Sequence, residues 1–147
     1  MRVALLLLAA AATICNAAET VITIPTRDKV ALSYLLVQEP SSTPKVVVVT
    51  FIGGTGAMGL ARRAENGPIK FGPSTNFLIR IRERLVDTDI ADAIVDAPSD
   101  QLPQGMQDSF RLGPDHLTDI RALIVDLNGP NGLHVRDSCC SRSCASR

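Results

Sequence analysis

The sequence predicts an α/β protein whose sheet opens with an antiparallel hairpin and continues with parallel strands joined by crossover helices. Three observations predict it. Two β-rich runs lie close together near the start, a third run at residues 46–52 is apolar at almost every position, and strand-like and helix-like segments then alternate as far as residue 128.

The first pair, residues 20–24 and 30–37, is rich in Val, Ile, Leu, Thr and Tyr, and the two runs are separated by Pro25, Thr26, Arg27, Asp28 and Lys29. A pair of β-rich runs with so short a link reads as a hairpin. Residues 39–44 form a Pro and Ser connection. Lys45 then opens Val46, Val47, Val48, Val49, Thr50, Phe51 and Ile52. A strand with no polar alternation has no wet face, which predicts a central parallel strand covered on both sides. Irregular chain rich in Gly and Pro follows as far as Pro73. A loop of that length is typical of functional segments.

Phe77, Leu78, Ile81 and Leu85 fall on one side of a helical wheel, with Arg80, Glu83 and Arg84 elsewhere, so residues 77–85 predict an amphipathic helix. Ser74, Thr75 or Asn76 is placed to cap it. Residues 90–97 are a second short apolar strand, stopped by Pro98. After a Gly, Pro and Gln loop, Leu117, Ile120, Leu123, Ile124 and Leu127 mark another helix. It starts near Pro114 and Asp115 and ends at Asn128, Gly129 and Pro130.

Ahead of the hairpin, Arg2, the apolar run of residues 3–12 and the small residues Ala17 and Ala18 have the three parts of a cleavable secretory signal. The run is shorter than the roughly 20 residues that span a bilayer, so no membrane anchor is expected once residues 1–18 are removed. A lipoprotein signal would acylate Cys15, but bulky Ile14 occupies the place of a small residue. The organisation expected is therefore a signal at 1–18, one domain at 19–130 and a tail at 131–147. The location expected is secreted or periplasmic. Lys plus Arg number 15 and Asp plus Glu number 15, which offers no general attraction for nucleic acid or anionic lipid.

The tail holds Cys139, Cys140 and Cys144. Three is odd, so an oxidising compartment leaves at least one thiol unpaired within the chain. Only His134 and Asp137 lie near them, without a recognised ligand spacing, and no metal site is expected. Gly54-Thr55-Gly56-Ala57-Met58-Gly59 fits the pattern G-x-G-x-x-G of dinucleotide-binding units. That fingerprint needs its third glycine to open a helix, whereas Gly and Pro residues soon interrupt this segment, so no nucleotide or other cofactor is expected. Asp96 and Asp100 lie beyond the carboxyl end of a strand, the edge where α/β ligand sites gather. They are candidates for the substrate side, and an ordinary solvated turn accounts for them equally.

The runs Phe51-Ile52-Gly53-Gly54-Thr55-Gly56, Asn76-Phe77-Leu78-Ile79-Arg80, Asp96-Ala97-Pro98-Ser99-Asp100, Gly105-Met106-Gln107-Asp108-Ser109-Phe110-Arg111 and His116-Leu117-Thr118-Asp119-Ile120 together resemble exported bacterial members of the α/β-hydrolase family. The resemblance covers roughly residues 20–128. It implies that Gly53 and Gly54 belong to the loop that gives one backbone N–H to an oxyanion hole, where the lack of a side chain lets N–H groups approach a developing oxyanion to about 3 Å. A plain tight turn would use the same glycines. The activity it implies is serine hydrolysis of a small-molecule ester or amide.

The sequence departs from that family where its nucleophile belongs, because it contains no G-x-S-x-G. The nearest approach, Gly72-Pro73-Ser74-Thr75-Asn76, lacks both the preceding strand and the closing glycine, and Ser74 reads as a helix cap. His116 precedes the place of the nucleophile, whereas the family's base comes last in chain order; it reads as structural. Residues 138–147 consist of four Ser, three Cys, two Arg and one Ala, a composition that suits no packed element. The expectation is a hydrolase-like chain cut off or frame-shifted near residue 131, inactive by itself; the alternative is an exported non-catalytic protein with a genuine thiol-bearing tail, binding through its sheet edge or that tail. The strand at 46–52 would then lack its neighbour, which in the family carries the nucleophile, and self-association through an open sheet edge is expected.

Overall fold

The hairpin sets the frame on which everything else is hung. The computed structural model describes residues 17–72 and 76–129; the leader at 1–16, Ser74, His134, Asp137, Cys139, Cys140 and Cys144 lie outside the described residues. Strands β1 (Ala18–Arg27) and β2 (Val30–Gln38) pair antiparallel around Asp28 and Lys29, with Lys29 at φ 55°. The register breaks between Pro25 and Arg27, because proline has no N–H to give the ladder. Both strands reach beyond the predicted ends, and β1 begins at Ala18. Ala17, just before it, packs against one of the two cores.

Strand β3 (Val46–Phe51) leads into a short helix α1 (Leu60–Ala64), and α2 (Phe77–Ile81) follows, extended by a 3-10 turn over Arg82–Arg84. Strand β4 (Ile90–Val95) comes next, then α3 (Asp108–Arg111) and the long α4 (Pro114–Asn128). The strands form one mixed sheet in the order β1-β2-β4-β3. β4 runs antiparallel to β2, with Leu35 opposite Ile94, and parallel to β3, with Val48 opposite Asp92. The α/β class, the leading hairpin and the later parallel pair are as the sequence predicts.

Among the described residues β3 lies at the sheet edge, the open edge expected where its next neighbour is missing, but it is not covered on both sides as its run of apolar residues predicts. Val46, Val48 and Phe51 are 50, 44 and 40 % exposed. Apolar residues on both faces of a strand state that both faces suit burial; they do not encode which strand lies alongside. The amphipathic reading of residues 77–85 is corrected too: Ile79 is the buried residue of α2, while Phe77 and Leu85 are exposed. The helix marked by residues 117–127 forms as predicted, with Asp119, Leu123 and Leu127 buried and Leu117 and Ile124 exposed.

Alternate residues of the central strands feed two cores, as a period of two requires. Leu32, Tyr34, Val47, Ala93 and Val95 meet Leu123 and Leu127 of α4. Leu35, Val37, Ile94 and Ile52 meet Leu60 of α1 and Ile79 of α2 on the other face.

Candidate functional site

The site sits past the carboxyl ends of the parallel pair, where two loops leave adjacent strands. Gly53 and Gly54 directly follow β3. Gly54, Gly56 and Gly59 have φ of 68°, 67° and 65°, a left-handed conformation that glycine takes without steric cost. The loop therefore curls back on itself, and one side chain holds it there. The Asp96 carboxylate, next after β4 and only 1 % exposed, accepts hydrogen bonds from Met58 N (2.6 Å), Leu60 N (2.7 Å) and Ala97 N (2.9 Å). Burial pushes the Asp96 carboxyl above its ordinary range, and the N–H groups of Met58, Leu60, Ala97 and Gly59 oppose that shift. Asp96 faces the loop backbone, and its role is to position that loop.

The same contacts bear on the G-x-G-x-x-G match. Contrary to the sequence reading, Gly59 does open a helix, α1, of five residues. At its start, where a pyrophosphate would be received, the Leu60 and Gly59 N–H groups are already turned to Asp96.

Further contacts hold the loop from its other side. Met106 N donates to Thr55 O (2.8 Å) and Ala97 N to Gly56 O (3.0 Å). Arg111 donates from Nη2 to Gly54 O (2.7 Å) and from Nε to Met106 O (3.3 Å). No local pattern in the sequence marks Met106 or Arg111 for this; they reach Gly54 and Thr55 across about fifty residues.

Gly53 lines a cavity of about 210 Å³ with Thr55, Gly56, Phe71, Asn76 and Ile79. The Gly53 and Gly54 N–H groups bond to no described residue. The cavity therefore combines unspent backbone donors with an apolar wall of Phe71 and Ile79. Arg63, also at its rim, is turned to the backbone, donating to Met58 O (2.8 Å). Asn76 caps α2 by accepting from Leu78 N (2.9 Å), as the sequence allows.

Asp100 lies apart from this cavity. Its carboxylate takes two hydrogen bonds from Arg27, both 3.1 Å. Arg27 also grips the fully buried Asp119 through Nε (2.9 Å) and Nη2 (3.0 Å). The bond to Asp119 is the main reason that the Arg27 pKa is raised, with Asp100 adding to it against the opposing effect of burial. The cluster ties the hairpin turn to α4. Neither Arg27 nor Asp119 stands out in the sequence, because each reads locally as surface. His116 packs between Phe51 (ring centroids 6.1 Å) and Phe110 (5.6 Å). Burial lowers its pKa, with Asp119 opposing and Arg111 and Arg27 reinforcing the shift.

Among the described residues no group of three or more His, Cys, Asp or Glu side chains is placed to hold a metal, and no helix is long and apolar enough to cross a membrane. Comparison of the chain with protein-family models, with curated proteins and with solved structures found no match.

Proposed function

We propose that this chain is the sheet-and-loop portion of an exported α/β-hydrolase-like protein, in which the loop after β3 receives the oxyanion of a small ester or amide. The observation that carries the reading is Gly53 in the cavity wall, with its N–H and that of Gly54 unspent on any described residue. Backbone donors held in place and aimed at a small cavity stabilise negative charge that develops there. The fixing of the loop by Asp96, Met106 and Arg111 supplies the rigidity that such a role needs. The uncovered side of β3 is also where the resemblance calls for the strand that carries the nucleophile.

The chain has no G-x-S-x-G to supply that nucleophile, so it binds the oxyanion mimic without turning ester over. The test uses the isotope-labelled chain titrated with phenylacetate, a carboxylate carrying an apolar ring. Amide shifts centred on Gly53 and Gly54, with p-nitrophenyl acetate hydrolysed no faster than in buffer, are expected. Shifts elsewhere, or none at tens of millimolar, would remove the oxyanion role. Ester turnover that vanishes in Ser74→Ala would show instead that the chain carries its own nucleophile.

A further inference from the structure

We propose that the outer edge of β3 and the adjoining apolar side of α4 form a two-fold interface between two copies of this chain. The inference is independent of the role given to the glycine loop.

The two edges of the sheet are built differently. β1 is blunted by Pro25, by the register break up to Arg27 and by Glu19, which is ion-paired with Arg82. Such features protect an edge strand from pairing with another chain. From Val46 to Phe51 there is no Pro, Gly or charge. Lys45, just before, is held by Asp89 at 2.8 Å. The N–H and C=O groups that face away from β4 have no partner among the described residues, and with exposed Val46, Val48 and Phe51 beside them they present a ready template for a further strand.

α4 extends the surface on one face. Its Asp119 and Asp126 turn toward Arg27 of β1 and Tyr34 of β2, whereas His116 turns toward Phe51 of β3. At 3.6 residues per turn, the side chains that continue round the helix past His116 are Ile120, Ile124 and Leu117. They lie on the β3 side, and Leu117 and Ile124 are exposed.

A second copy fits this surface by symmetry. In an antiparallel pair, residues directly opposite share a face. Two β3 strands can therefore meet with Val48 opposite Val48, which sets Val46 against Thr50 and Val47 against Val49. Each face of one sheet then continues as the same face of the other, and the two α4 helices bring their Ile120, Ile124 and Leu117 sides toward the dyad. The exposed parts of Val46, Val48, Phe51, Leu117 and Ile124 amount to about 400 Å² per copy, before backbone and Ile120, against roughly 800 Å² per partner in a specific interface. A closed pair also uses up both β3 edges, so assembly stops at two.

The test is sedimentation equilibrium of the purified chain from about 1 to 100 μM, with amide exchange of β3 at both extremes. A dimer is expected, with the β3 amides that face away from β4 protected only at the higher concentration. Val48→Lys and Ile124→Lys alter residues exposed in the single copy and should each weaken the dimer at least tenfold with the far-ultraviolet spectrum unchanged. Val125→Lys, on the far side of α4, should not. A monomer at 100 μM would overturn the proposal, most directly if the outward-facing β3 amides are already protected by the chain itself. So would a dimer indifferent to both lysines, or open-ended filaments.

Discussion

At the scale of single residues, three buried carboxylates carry different loads. Asp96 receives backbone N–H groups from both sides of the glycine loop. An asparagine keeps the shape but turns one acceptor into a donor that faces N–H groups. Asp96→Asn should cost roughly 3 kcal/mol, at the upper end for hydrogen bonds to a charged group, read as a lower urea midpoint with an unchanged slope. Asp119 is balanced by Arg27 alone among the cations around it. Arg27→Met leaves that buried charge uncompensated, for which a loss of about 3 to 5 kcal/mol is expected. Arg27→Lys should recover only part of it, because one ammonium cannot span both Asp119 and Asp100 as the fork does.

Asp92 differs in having half its carboxylate matched. Thr50 donates to Oδ1 at 2.7 Å, while the buried Oδ2 has no partner among the described residues. Burial raises its pKa, and the Thr50 bond opposes the shift. The folded state therefore holds this proton more tightly than the unfolded chain does. The resulting stability is complete below the unfolded value near 3.9 and is lost as pH rises through the higher folded one. Asp92→Asn removes the titration, so the stability of the variant relative to the native chain should climb as pH rises above the unfolded value and level off once the higher folded value is passed. A difference that stays flat across that range would show that Asp92 is solvated.

At the scale of elements, two glycines with similar backbones should respond differently. A Cβ on Gly105 (φ 77°) would lie 2.5 Å from Thr55 Cβ and 3.1 Å from its Cα, whereas on Gly56 (φ 67°) it would lie 2.5 Å from Met106 Cε, the end of a flexible chain. Backbone cannot move aside as a methionine tip can. Both alanines carry the left-handed strain of about 1 kcal/mol or more, and Gly105→Ala should lower the thermal midpoint by several degrees beyond Gly56→Ala.

The strands were legible because their signal is local. Runs of Val, Ile and Leu located β1 to β4 within a few residues, and Pro114 and Gly129 bracketed α4. The short helices α1 and α3 left no such trace. Four or five residues complete barely one turn, and Leu60-Ala61-Arg62-Arg63-Ala64 is fixed by Asp96 and Leu60 packing, not by its own periodicity. The side of α4 that faces the sheet was not legible for a related reason. Its apolar residues spread over Leu117, Ile120, Leu123, Ile124 and Leu127, and the partnership of Asp119 with Arg27, 92 residues away, decides which side faces the sheet. In the site, glycine type and position after a strand marked Gly53 and Gly54, while the residues that hold the loop are distant in sequence.

At the scale of the whole molecule, cohesion and association draw on the same surface. The described chain is tied together by β4, which touches both β2 and β3, and by Arg27, which joins the hairpin to α4. Part of what these leave uncovered lies along β3 and the adjacent stripe of α4, where Val46, Val48, Phe51, Leu117 and Ile124 are exposed. If two copies join there, partner mass action adds to folding. The thermal midpoint should then rise with protein concentration in the native chain and be independent of it in Val48→Lys.

The strand order 1-2-4-3 also sets a clock. On a growing polypeptide, β1 and β2 can zip as soon as both have emerged, but β3 has only β4 to pair with, and Phe51 is separated from its partner Val95 by 44 residues. At the usual 5 to 20 residues per second of synthesis, β3 waits roughly two to nine seconds as bare apolar backbone. During that interval the Val46–Phe51 segment is open to any chaperone that captures short extended apolar peptides, and the sheet stays incomplete. Its most adhesive strand cannot lock into place until nearly two thirds of the sequence has been made.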